Sequence, residues 1–264
     1  MRRRFDGMRF LRVLWRHSRA VARAWWQTHR ALQLASAAVV VLALWAIVNL
    51  AYHVAKKPTE LFFPVAGTLT KPPAETWRRY GPLFRYYATA TITPELLAAL
   101  AQVESAGDPV ARTYWRWRFS WNPLKLYQPA SSAVGMYQMT DPTFAEARRY
   151  CIHHHGVAAD DACWFNGLYT RIIPSHAIEL TAAYLDRQVA GVLLHRDAAA
   201  SPQQRQNLAA LIHLCGAGAA DGYARHGFHL TAGERCGDHD AATYLARVDT
   251  AKREFQRLAA AEAE

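Results

Sequence analysis

Thr93-Pro94-Glu95-Leu96-Leu97-Ala98-Ala99-Leu100-Ala101-Gln102-Val103-Glu104-Ser105-Ala106-Gly107-Asp108-Pro109 begins and ends like a buried helix. Thr93 is an N-cap residue, Pro94 suits the first helical position, and Glu95 puts an acid in the first turn. Leu96, Leu97, Leu100 and Val103 then recur at i, i+1, i+4 and i+7, the spacing of a stripe facing a core. Gly107-Asp108-Pro109 stops the helix. Glu104 is thereby placed in the last turn of an apolar helix, just before the chain breaks. A Glu on a helix is most often a solvated surface residue; apolar neighbours on both sides weigh against that here.

Downstream, Tyr114-Trp115-Arg116-Trp117-Arg118-Phe119-Ser120-Trp121 alternates. Aromatic rings fall on one side, arginines and serine on the other, and period two predicts a strand or extended arm. Stacking rings serve sugar clefts and apolar packing alike, so the arm reads equally as a glycan contact or as a two-faced arm packed on the domain or near the bilayer. After Asp141-Pro142 the helical period dominates, with helices expected over roughly 142–151, 176–191, 203–214 and 240–260. The fold class is therefore mainly α with a small extended insertion.

Four stretches in this order resemble the SLT-type lytic transglycosylases, whose fold is lysozyme-like. Gln102-Val103-Glu104-Ser105 with Asp108-Pro109 is similar to the family's catalytic-helix signature. Ser131-Ser132-Ala133-Val134-Gly135-Met136-Tyr137-Gln138-Met139 resembles its Gly-Leu-Met-Gln turn, preceded by small residues. Pro174-Ser175-His176-Ala177-Ile178 followed by Tyr184-Leu185 is similar to a Pro-x-x-Asn-Ile run leading to Tyr-Leu. His213-Leu214-Cys215-Gly216-Ala217-Gly218 sits where the family has Tyr-Asn-Ala-Gly-Pro-Gly. The resemblance spans about residues 78–250. It departs at Ala177, where the family has Asn, and at His213-Leu214, where it has Tyr-Asn. The gap from Glu104 to Gly135 is also long and holds the Trp/Arg stretch. The serine often found upstream of the turn falls on Pro129, with Ser131 and Ser132 close by.

The resemblance implies that Glu104 is the catalytic residue and that Ser105, Ser132, Gly135, Met136, Tyr137, Gln138, Tyr184 and His213 contact the substrate. From the residues themselves, cleaving a glycoside needs a proton donor for the leaving oxygen, and a carboxyl serves near neutral pH only when desolvation favours its protonated form. An apolar helix ending at a cleft supplies that environment. Most glycosidases use two carboxylates. The resemblance implies one glutamate acting as acid and then base, with the substrate N-acetyl group stabilising the cation. The muramoyl C6 hydroxyl then attacks in place of water and leaves a 1,6-anhydromuramoyl end. Gly135 permits a tight turn and Gln138 offers a donor and an acceptor to a sugar amide; an ordinary turn before Asp141-Pro142 is the plainer account. His213 stands either as a polar partner of Glu104 or as a core histidine.

Further out, Ala31 to Tyr52 is 22 residues without a single Asp, Glu, Lys or Arg. At 1.5 Å per residue that crosses a hydrocarbon core of about 30 Å. Trp25, Trp26 and Tyr52 fall at its ends, where interfacial aromatics belong. Nine of the 31 basic residues but only one of the 21 acidic residues (Asp6) lie in residues 1–30, leaving 22 against 20 in the rest. The net charge of +10 thus belongs to the N-terminal arm, and the nearly neutral body gives no case for nucleic acid. The arginine asymmetry places residues 1–30 in the cytoplasm and the remainder across an inner membrane, in a periplasm. A cleaved signal peptide would have a shorter apolar run and a small-residue cleavage site. The basic arm also fits an amphipathic helix on anionic lipid. The expected organisation is a cytoplasmic arm 1–30, a transmembrane helix 31–52, a linker 53–75 and a lysozyme-like domain 76–264.

The chain's 52% hydrophobic and 20% charged residues exclude a disordered protein. Cys151, Cys163, Cys215 and Cys236 lie on the expected outer side, where disulfides persist. Sequence leaves three connectivities open, and the local pairs 151–163 and 215–236 would each close a short loop. Cys151 with His153, His154 and His155 lacks helical ligand spacing, and a disulfide needs no metal. No nucleotide-binding Gly-rich loop, Ser-His-Asp arrangement or CxxC is present, and no cofactor is called for. The expected function is a peptidoglycan lytic transglycosylase. Against it stand a hydrolytic muramidase on the same fold and a non-catalytic wall-binding scaffold. A fourth reading has the basic arm recruit the domain to an envelope-spanning or secretion assembly.

Overall fold

The computed structural model describes residues 29–62, 64–65, 67–197 and 199–263. The basic arm, with Trp25 and Trp26, lies almost wholly outside these residues. The described chain divides into two compact units: one holds the first helix together with Arg118–Tyr127, the other holds Lys57–Trp117 and Gln128 onward.

In the first unit, α1 (Arg30–Lys56) is long and apolar enough to cross a membrane. Leu34, Val39, Val41, Leu44 and Ile47 are exposed along it. Trp45, Asn49 and His53 fall at i, i+4 and i+8 on one face, and each side chain meets a main-chain carbonyl of the 118–127 segment.

The second unit is mostly helical. α2 (Pro73–Tyr87) begins on a proline and buries Trp77, Tyr80, Gly81 and Phe84, an i, i+3, i+4, i+7 stripe. α3 (Pro94–Ser105) starts as expected, with Leu96 N–H donating to the Thr93 hydroxyl, and ends at Ala106 in the left-handed region. Leu96, Leu97 and Leu100 are buried, while Val103 at the end of the stripe is half-buried. The short pair β1 (Trp115–Trp117) and β2 (Tyr127–Pro129) follows, then α4 (Asp141–Ala147) and a hairpin of β3 (Tyr150–His153) and β4 (Gly156–Ala159). α5 (Pro174–Arg196) crosses the core, and α6 (Pro202–Cys215) opens on a Ser201/Gln204 capping box. α7 (Ala217–Arg225), a two-residue ladder of β5 (Arg235–Cys236) with β6 (His239–Asp240), and α8 (Ala241–Ala263) complete the unit. α3 packs chiefly on α8 and α2, and α5 on α6 and α7. The core runs from Trp77 and Phe84, against Phe255, through Leu96–Ala101 to Ile178, Leu185 and Leu208.

Several expectations change. The helix expected to 151 stops at Ala147, because Tyr150 and Ile152 belong to β3, which turns back on β4 and is pinned by Ile152 N–H donating to Glu179 (3.1 Å). The alternating stretch 114–121 forms a strand only over Trp115–Trp117. Helices α2 and α7 were not anticipated. Of the linker expected over 53–75, residues 53–56 continue α1 and the second unit begins at Lys57. There Glu60 is buried against Lys57 (3.1 Å) and Arg112 (2.8 Å), and the Gln102 side-chain amide donates to the Lys71 carbonyl (2.9 Å). The disulfides are Cys151–Cys163 and Cys215–Cys236, with Cα–Cα separations of 5.5 and 5.3 Å. Cys151 is thus engaged, and His155 Nδ1 pairs with the Ala88 carbonyl at 2.8 Å.

Candidate active site

Glu104 sits one residue before the end of α3 with its side chain 19% exposed. Its Oε1 accepts a 2.7 Å hydrogen bond from the hydroxyl of Tyr244, which is buried on the first turn of α8. Burial, and then the facing Glu104 carboxylate, push the Tyr244 phenol well above its ordinary pKa. Tyr244 therefore stays protonated, and its O–H is available to donate to Glu104. His213 Nε2 lies 3.6 Å from the same Oε1. That is an ion-pair distance when the ring is protonated and too long for a hydrogen bond.

Ser105, next to Glu104, donates to the Met136 carbonyl (2.9 Å) and so ties the end of α3 to the following turn. That turn needs Gly135: its φ is +81°, and a Cβ there would lie 2.2 Å from the Arg171 carbonyl oxygen. Gln138 also has positive φ and donates back to the Gly135 carbonyl (2.9 Å). Ser132 Oγ accepts from Asp141 N–H at the start of α4 (3.1 Å). Arg171 braces the loop by donating to the carbonyls of Ser132 (3.1 Å) and Met139 (2.8 Å) and pairing with Asp141 (2.6 Å).

A cavity of about 210 Å³ opens beside this turn, lined among others by Gln138, Thr140, Thr181, Tyr184 and His213. The structure thus gathers Gln138, Tyr184 and His213 around one space, with Glu104 at His213. Met136 and Tyr137 correct the expectation: both side chains are fully buried, and Tyr137 donates to the Leu97 carbonyl (3.2 Å). Their size and apolarity make them core residues; Met136 serves the site through its carbonyl. Ala177 is buried on α5, and His176 beside it stacks on Tyr169 at 4.0 Å.

The other acids flanking these motifs are occupied. Asp108, fully buried, accepts from the amides of Gly67 (2.7 Å) and Val110 (2.9 Å). Glu179 accepts from Ile152 N–H and from the Tyr169 hydroxyl (2.9 Å), and Glu146 from Gln188 (2.6 Å). Burial and Glu179 together raise the Tyr87 phenol to about 12.

An apolar helix delivering one carboxylate beside a Gly-Met-Tyr-Gln turn is the arrangement that decides the comparison. Residues 82–201 match the Transglycosylase SLT domain. The SLT match takes in Glu104, the Gly135 turn and Tyr184, and stops before His213 and Tyr244. It points to peptidoglycan as substrate and to an activity of the lytic-transglycosylase or lysozyme-like class. No curated protein matches the chain at a significant level. Tyr244 and Arg171 escaped the sequence reading. Tyr244 shares a buried stripe with Ala241, Val248 and Phe255, which marks it as core but not as a partner of a residue 140 positions away.

Proposed function

We propose that this chain is a membrane-anchored lytic transglycosylase that cleaves the MurNAc-GlcNAc β-1,4 bond of peptidoglycan and leaves 1,6-anhydroMurNAc ends. The observation carrying this reading is that Glu104 lies 3.6 Å from His213 on the cavity wall, while the neighbouring acids Asp108, Asp141, Glu146 and Glu179 are held by backbone or side-chain partners. A hydrolytic pair needs a second carboxylate at about 5–10 Å; a single glutamate suits chemistry in which the substrate supplies the nucleophile. With Tyr244 donating to Oε1, the transferable proton of Glu104 belongs on Oε2. Oε2–H protonates the glycosidic oxygen as the C–O bond breaks. The carboxylate then takes the proton of the muramoyl C6 hydroxyl as that oxygen closes on C1, returning the enzyme to its starting state. Gln138 and Tyr184, on the cavity wall, supply polar contacts to the sugar and its N-acetyl group, with Ser105 and Gly135 shaping the turn.

Oxidised cysteine pairs and the apolar helix favour an oxidising compartment outside the cytoplasm. In this reading residues 1–30 are cytoplasmic, α1 spans the inner membrane, and the SLT domain works in the periplasm. The His213-Leu214 and Ala177 departures favour one competitor, a wall-binding scaffold. Mass spectrometry of sacculi treated with the full chain separates the readings. Anhydro ends from the wild type and none from Glu104→Gln are expected; reducing ends would mean a muramidase, and glycan binding without released muropeptides a scaffold.

A further inference from the structure

The tip of the Trp/Arg arm, Arg118–Tyr127, is not needed by the chemistry above and carries the most exposed large aromatic rings among the described residues. Phe119 is 87% and Trp121 94% exposed, edge-to-face at 5.9 Å. A soluble surface has little reason to hold two large rings out in water.

What covers them follows from where the tip is seated. Trp45 Nε1 donates to the Pro123 carbonyl (3.1 Å), Asn49 Nδ2 to the Tyr127 carbonyl (2.8 Å), and His53 Nε2 pairs with the Leu124 carbonyl (2.9 Å). At 1.5 Å per residue Asn49 lies about 5 Å, and Trp45 about 10 Å, inside the Tyr52 end of the apolar run. The tip therefore lies along the part of α1 that belongs to the membrane. The match is reciprocal: irregular backbone at membrane depth must have its carbonyls satisfied by protein, and polar side chains in a spanning helix need partners. Several of the tip's amides are also closed locally. Asn122 N–H donates to Ser120 Oγ, Leu124 N–H to Asn122 Oδ1, and Arg118 N–H to the Leu126 carbonyl. Its charges are Arg118 and Lys125, with no acid anywhere from residue 109 to 140, which suits anionic headgroups.

We propose that Arg118–Tyr127 is an interfacial membrane anchor: it docks on the Tyr52 end of α1 and buries Phe119 and Trp121 in the lipid of that leaflet. The chain leaves the SLT domain at Trp117 and re-enters it at Gln128, so the arm gives that domain a second tether besides Lys56–Lys57. The inference rests on α1 spanning a bilayer and is independent of the chemistry at Glu104.

Full-length protein carrying one environment-sensitive dye, at Trp121→Cys, Val41→Cys or Ala261→Cys, is reconstituted in phosphatidylethanolamine/phosphatidylglycerol vesicles, with both native disulfides checked by peptide mapping. The dye at 121 is expected to be quenched several-fold more by lipid doxyl-labelled near the headgroup than by aqueous iodide. The dye at 41 answers to deep doxyl, and the dye at 261 to iodide. Asn49→Leu with His53→Leu, which removes two of the three α1 partners of the tip, is expected to raise iodide access at 121 at least twofold. Iodide quenching at 121 equal to that at 261, with 41 still in lipid, overturns the anchor while leaving the spanning helix intact. Shielding of 121 from both quenchers means that protein covers it and also overturns the proposal. Loss of lipid quenching at 41 overturns the spanning helix and the anchor together.

Discussion

In the proposed reaction Glu104 and Tyr244 form one hydrogen-bonded pair and divide the work. Glu104→Gln keeps volume and helix propensity, so the fold should persist. Release of anhydromuropeptides should fall by roughly 10²–10⁴-fold, the scale of general acid–base catalysis; a folded variant with wild-type rate would remove Glu104 from the mechanism. Tyr244→Phe deletes one hydrogen bond to a charged group, an interaction of about 1.5–3 kcal/mol. As Tyr244 holds Oε1 without touching the reacting atoms, kcat should drop by about 10-fold or more with little change in KM. An unchanged kcat in the folded variant would make Tyr244 merely a core residue. Gly135→Ala meets both a left-handed backbone and a carbonyl at 2.2 Å. It should cost upwards of about 1 kcal/mol, read as a lower Tm, and reduce activity because Met136 and Gln138 lie on the same turn.

Helices and loops are held at their ends, and that is where they should be tested. The two disulfides close separations of 12 and 21 residues. Non-reducing peptide mapping should recover 151–163 and 215–236, and replacing either pair by serine should cost about 2–4 kcal/mol in denaturant titrations. The last turn of α8 is clamped to α2 by Glu262, whose carboxylate accepts from Trp77 Nε1 (3.0 Å) and Arg85 (3.0 Å). Those hydrogen bonds, Arg85's first and Trp77's second, hold its pKa below the ordinary value of 4.5. A folded-state pKa depressed in this way gives stability that is fully present above the unfolded pKa and is lost as pH falls through the folded one. Glu262→Gln should therefore flatten the acid limb of Tm against pH below about 4.5. Its effect at pH 7 should be slight, since the pair is exposed to solvent. An unchanged acid limb would mean that the clamp does not hold in solution.

For the whole molecule, the proposed membrane anchor raises the question of which side the SLT domain occupies. Nine arginines before Ala31 against Lys56 and Lys57 after Tyr52 predict that a reporter fused at the C-terminus works only outside the cytoplasm. A cytoplasmic signal would reverse the topology and leave the disulfides in a reducing compartment. The body is close to neutral, so no steep salt dependence of glycan binding is expected from long-range attraction.

Short-range patterns were enough for much of this protein. The Thr93-Pro94 cap, the Leu96/Leu97/Leu100 stripe and the break at Gly107 are local, so α3 and the place of Glu104 at its end could be read directly. The charge-free run from Ala31 and the order of the SLT-like motifs were legible for the same reason. α2 was legible in principle, since Pro73 and the Trp77/Tyr80/Phe84 stripe obey the same rules, and only its first residues, up to 75, fell in the Pro- and Lys-containing stretch read as linker. β3 fooled the helical period because three or four residues cannot distinguish a buried strand from a helical turn. Tertiary structure alone decided the rest. Packing of α3 on α8 brings Tyr244 to Glu104 across 140 residues, core volume claims Met136 and Tyr137, and long-range hydrogen bonds seat the arm tip on α1. Those outcomes depend on which faces meet when the helices close on one another, and a helical or alternating period specifies that a face is buried without specifying what it is buried against.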